Sequence, residues 1–153
     1  KVIDESLDII SWAMESPVPN VHTYTEAEEI ASQELIQLFD SKFKHHLDRY
    51  KYSSRYEVDP LEHQEECKAI LENLDAEIHP NPWIFGKQVS LLDISILPFI
   101  RQYKIANPDW FFAQNFTKVI VLLNYFEKSD LFIQAMQKFE LWDPIKKNGN
   151  IFP

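Results

Sequence analysis

At 153 residues, 45% hydrophobic and 25% charged, the chain is long enough to bury one hydrophobic core and too apolar to be disordered. Only two glycines occur, Gly86 and Gly149, which argues against a sheet-rich fold joined by tight turns and favours helices. A net charge of −9 repels a phosphate backbone. The basic run Lys42, Lys44, His45, His46, Arg49, Lys51 and Arg55 is interrupted by Asp40, Asp48 and Glu57, so it reads as a solvated helix face rather than a nucleic-acid surface.

In chain order, Leu7, Ile10 and Met14 recur at helical spacing behind Asp4 and Glu5, whose acidity suits a helix N-terminus. This predicts a short amphipathic helix over 4–14. Two prolines within Ser16-Pro-Val-Pro-Asn20 then stop it and form a stiff connector suited to a domain boundary. Thr25 followed by Glu28 is a capping box, and the stripe Ile30, Leu35, Leu38, Phe39, Phe43, Leu47 and Tyr50 predicts one long helix running towards Ser53. Asp59-Pro60 starts the next helix, with Cys67, Ile70, Leu71, Leu74 and Ile78 as its apolar stripe. A short polar loop between two long helices predicts an antiparallel pair.

His79-Pro-Asn-Pro82 ends that helix, and Trp83-Ile-Phe85 leads through Gly86 to a second capping box, Ser90 and Asp93, with Val89 and Ile94 spaced as its apolar staple. The helix that follows is apolar almost all round, which marks a central core element, and Pro98 lies inside it as a kink or a tolerated break. Asn107-Pro-Asp109 interrupts the pattern before Trp110, Phe111, Phe112 and Phe116. Val119 to Phe126 reads as a buried helix. Residues 129–139 read as a last helix with Leu131, Phe132, Ala135, Met136 and Phe139 on its apolar face, followed by a tail over 140–153 anchored by Trp142, Ile151 and Phe152.

Cys67 is the single cysteine, which excludes an intrachain disulfide and fits a reducing, cytoplasmic setting. No apolar run is long enough for a membrane span, and Lys1 to Asp8 lack the apolar core of a signal peptide. The chain begins with Lys1 directly upstream of a helix start, so the natural protein is expected to extend towards the N-terminus.

Taken together, Ile3-Asp-Glu-Ser-Leu-Asp-Ile9, a proline linker, two long helices and Ser90-Leu-Leu-Asp93 in a buried helix resemble the cytosolic glutathione transferases. Trp83-Ile-Phe-Gly86, Ser90 to Pro98 and Phe99-Ile-Arg-Gln102 are similar to the bacterial members. The resemblance implies an all-α fold, a glutathione transferase C-terminal-like helical bundle, with a remnant of a thioredoxin-like domain at the N-terminus. Residues 1–15 would be the last helix of that truncated domain, 16–23 a linker and 24–153 the helical C-terminal domain. It also implies a cytoplasmic homodimer that conjugates glutathione to small apolar electrophiles or reduces disulfides, with glutathione as co-substrate and no cofactor, metal, nucleic acid or membrane. The same helical fold also serves as a non-catalytic protein-interaction module.

By the same resemblance, Glu5 and Ser6 match the Glu-Ser pair that holds the γ-glutamyl end of glutathione. A hydroxyl and backbone N–H groups at a helix N-terminus can bind an α-carboxylate while a carboxylate pairs with the ammonium group. The competing reading is that Asp4, Glu5 and Ser6 only cap a helix. The residue that activates the sulfur, a Tyr, Ser or Cys in this family, would lie upstream of Lys1, so the catalytic residue is outside this chain. Ser90 and Asp93 are assigned to folding. His63 and Cys67, four apart, have an acceptable spacing for two zinc ligands, but without a second pair they read as a surface histidine beside an inert buried thiol. His45 and His46 read as surface residues, and Tyr24 and Phe39 as walls of an electrophile pocket beside the first long helix.

Overall fold

The computed structural model describes residues 2–3, 5–15, 20–139 and 141, and the fold among them is helical. Helix α1 spans Ser6–Met14, and α2 spans Glu26–Leu38 behind the expected capping box, in which Thr25 Oγ1 accepts from Glu28 N and Glu28 Oε2 accepts from Thr25 N at 2.8 Å. The expected long helix does not continue unbroken. A π-helical turn at Phe39–Phe43 separates α2 from α3 (Lys44–Lys51), and Tyr52, at φ −125° and ψ 39°, interrupts the chain before the short α4 (Ser53–Tyr56). The wider turn keeps Phe39 and Phe43 both fully buried and stacked 4.6 Å apart, a packing gain that offsets its poorer hydrogen-bond geometry.

Helix α5 (Pro60–Glu77) starts as its sequence demands, with Pro60 in the first turn and Asp59 accepting from Leu61 N at 2.9 Å. Cys67, Ile70, Leu71, Leu74 and Ile78 are all buried. Tyr50 meets Gln64, while Lys42 meets Glu66 and Phe43 meets Cys67, so α3 and α5 run antiparallel. Helix α6 (Leu91–Ala106) is the central element: Leu92, Ile96, Leu97 and Ile100 are fully buried. Each such side chain stabilises the fold by roughly 1.5–3 kcal/mol. Pro98 sits in mid-helix at an exposed position, where the ring points away from the core.

Asn107 caps a short α7 (Pro108–Phe112) that buries Phe111 but leaves Phe112 exposed. Helix α8 (Thr117–Lys128) buries Val119, Leu122, Leu123 and Phe126, and its start is held to α5 because Asp75 Oδ1 accepts from Lys118 N and Val119 N. The last helix, α9 (Asp130–Ala135), is shorter than the expected 129–139, and Leu131, Ala135, Met136 and Phe139 are exposed. Its sequence offers an apolar face that only Phe132 sets against the core. The connector prolines, Asp4, and the tail anchors Trp142, Ile151 and Phe152 lie outside the described residues.

Candidate functional site

At the head of α1, Glu5 occupies the N-cap position with extended backbone (φ −92°, ψ 139°) but supplies no side-chain cap. Its carbonyl accepts from Ile9 N at 3.0 Å. Ser6 is the first helical residue, and both side chains are exposed. Among the described residues, the Glu5 side chain makes no capping hydrogen bond to the helix start.

Beside α1 a groove of about 360 Å³ runs between Leu7, Ile10 and Ser11 of α1, Gln33, Ile36, Gln37, Asp40 and Ser41 of α2 and the π turn, and Leu91 and Ser95 of α6. Six of these ten residues are polar, yet the surface they expose to the groove is mainly apolar, which suits a small organic molecule. Among the described residues Ser95 Oγ, in the groove, and Ser32 Oγ, elsewhere on α2, are buried without a hydrogen-bond partner. Neither expected wall residue belongs to this groove. Phe39 is fully buried in the core. The Tyr24 hydroxyl accepts from Leu92 N at 2.8 Å, and its ring meets His22 and Phe85 edge-on. Tyr24 thus ties the segment after the connector to the start of α6, helped by a parallel bridge between Val21 and Val89.

A second cavity of about 290 Å³ lies between α6 and α9, lined by Ile94, Pro98, Arg101, Phe126, Phe132 and Met136 among others. Pro98 has no N–H, so the Ile94 carbonyl lacks its usual helical donor. Arg101 Nε is 3.2 Å from a Glu127 oxygen but out of line for a hydrogen bond, and the guanidinium lies 5.1 Å from the Phe132 ring centre.

A model of the glutathione S-transferase C-terminal domain matches residues 33–127. The chain belongs to that family. No curated protein and no solved structure matches it. In this glutathione transferase C-terminal domain the match includes the second half of α2 from Gln33, all of α3 to α7 and nearly all of α8, and it leaves out α1 with Glu5 and Ser6.

Within the matched region, the domain's cap at Ser90 and Asp93 is wholly buried. Ser90 Oγ accepts from Asp93 N at 3.2 Å, while Asp93 Oδ2 accepts from Ser90 N at 2.9 Å and from Ser90 Oγ at 2.5 Å. Asp93 Oδ1 also accepts from Ile84 N at 3.2 Å. Burial pushes the Asp93 carboxyl above the ordinary carboxylate range, against the pull of these hydrogen bonds. One side chain thereby joins the α6 start to the Trp83–Gly86 turn, where Gly86 takes φ +127°.

His45 is exposed, as the surface reading expects, but His46 and His63 depart from it. His63 is buried and His46 half-buried, and their Nδ1 atoms lie 2.8 Å apart. The cause is tertiary: α3 and α5 turn these two positions towards each other across a helix interface that no spacing within one helix displays. Cys67 does sit in the core, its Sγ donating to the Phe43 carbonyl at 3.8 Å, and burial pushes its thiol up to about 12. Among the described residues no group of three or more His, Cys, Asp or Glu side chains could hold a metal ion, and no helix is long and apolar enough to cross a membrane.

Proposed function

We propose that the intact protein is a glutathione-dependent enzyme that conjugates glutathione to small apolar electrophiles or reduces disulfides. Residues 1–15 would close a thioredoxin-like domain that carries the catalytic residue, residues 16–23 would link it, and residues 24–153 would form the electrophile-side domain of a cytoplasmic homodimer. The observation that carries this reading is the groove between α1 and the α2/α6 pair, together with an exposed acidic-hydroxyl pair, Glu5 and Ser6, at the head of α1. Ile9, Trp12 and Met14 on α1 are exposed, the apolar surface that a docked domain would cover.

The first measurement is the intact mass of the protein expressed from its native gene, beside the 18.1 kDa of this chain. A larger mass with room for the thioredoxin-like half directs the next assay to glutathione conjugation of an aryl halide and to disulfide reduction. In that protein Glu5→Ala and Ser6→Ala should each raise KM for glutathione by about tenfold, the loss of one charge-assisted hydrogen bond. An unchanged KM in both would remove the γ-glutamyl role.

The exposed apolar face of α1 also favours a second reading, a protein-interaction module of the same fold. A native mass equal to that of this chain, with no glutathione-dependent turnover, would select it.

A further inference from the structure

Three imidazoles meet where α3 packs on α5. His46 and His63 set their Nδ1 atoms 2.8 Å apart with ring centres at 5.0 Å, and the His45 ring lies 5.0 Å from His46 and 6.1 Å from His63. Two bare nitrogens repel and two N–H groups collide, so the close contact holds one proton between two bases. Glu66 Oε2 stands 3.9 Å from His46 Nε2, which favours a proton on that nitrogen and leaves His46 Nδ1 as acceptor for the His63 Nδ1–H. The gap is too narrow for a metal: two nitrogens on a tetrahedral zinc, each at about 2.0–2.1 Å, stand roughly 3.3 Å apart.

The surroundings are mixed in charge. On α3, Arg49 Nη1 is 3.1 Å from His45 Nδ1, and Asp48 faces His45 as well. Lys42 of the π turn holds Glu66 at 2.9 Å, so the carboxylate that could balance an imidazolium is already shared. On α5, Cys67 follows His63 by one turn. From α6, Tyr103 donates its hydroxyl to the Gln64 carbonyl at 2.7 Å, and Gln102 accepts from Lys51 at 2.7 Å.

We propose that the His46–His63 contact is an acid-sensitive latch between α3 and α5, closed while one Nδ1 proton is shared and open once each ring carries its own. Opening takes one proton from solvent onto His46 Nδ1, breaks the Nδ1–H···Nδ1 bond and leaves two Nδ1–H groups pointing at each other, one of them on the imidazolium of His46. The energetics run in the same sense. Burial, aided by His45, His63 and Lys42 and opposed by Glu66, holds the His46 imidazole below its ordinary range. The unfolded chain therefore binds more protons than the folded one below about pH 6.5, so the stability present above that pH is lost as pH falls. Opening would bare Cys67, which α3 and the π turn otherwise cover.

The test is labelling of Cys67 by an aromatic disulfide reagent that stays reactive in acid, normalised to a small free thiol at each pH. The normalised rate should rise about tenfold between about pH 7.5 and about pH 5.5, and stay flat in His46→Gln and His63→Gln, which keep polar groups but do not titrate. An equal rise in both variants overturns the latch. Nitrogen-15 spectra of the unaltered protein give a check that needs no variant. At about pH 7.5 one of the two rings should carry its proton on Nδ1 and the other on Nε2, whereas both on Nε2 would sink the proposal.

Discussion

Asp93 shows how one side chain can exceed its motif. The three-residue spacing from Ser90 predicts a capping box, and the box is present, but the bond from Ile84 N depends on the Trp83–Gly86 turn folding back onto the helix start. Ser90→Ala should therefore cost about 1 kcal/mol, the usual value of a lost cap. Asp93→Ala should cost more, about 2–4 kcal/mol, because the Ser90 and Ile84 N–H groups lose their acceptor together. Urea unfolding of both variants measures this, and equal losses would reduce Asp93 to a cap. Tyr24 and His63 were misread for a related reason. Their partners, Leu92 N and His46 Nδ1, are 68 and 17 residues away, and no local pattern announces such a contact.

Among the elements, those whose ends are chemically marked came out close to their expected bounds. Thr25 with Glu28, Asp59 with Pro60, and Ser90 with Asp93 each start a helix within a residue of where the side-chain chemistry puts it. The long first helix and the last helix did not, because periodicity reports which residues are apolar and says little about how tightly the backbone winds between them. Seen as a stripe, Phe39, Phe43 and Leu47 suit an α-helix, and only the shape of the core opens a π turn there. Pro98 supplies an element-scale prediction. It stands mid-helix and exposed, beside a cavity rather than in the core. Pro98→Ala restores a donor to the Ile94 carbonyl and should raise stability, by up to about 3 kcal/mol. A lower thermal midpoint would mean that the proline ring shapes the α6/α9 cavity in a way the domain depends on.

At the scale of the whole molecule, the described residues divide between a packed helical bundle and an α1 that buries none of its own side chains. Trp12 is 57% exposed. Trp12→Ser should therefore leave the chain's unfolding free energy within about 0.5 kcal/mol of the original, while reducing binding of a fluorescent apolar dye. A larger loss of stability would show that α1 is part of the bundle's core. The all-helical class, the central place of α6 and the inert core thiol at Cys67 were determined by the sequence itself. Glycine scarcity, capping chemistry and apolar period are local properties, and local properties decide which helices form and which faces they bury. Only the tertiary structure decided the groove beside α1, the π turn and the His46–His63 contact. Each depends on the distance between elements remote in sequence, and packing alone sets that distance.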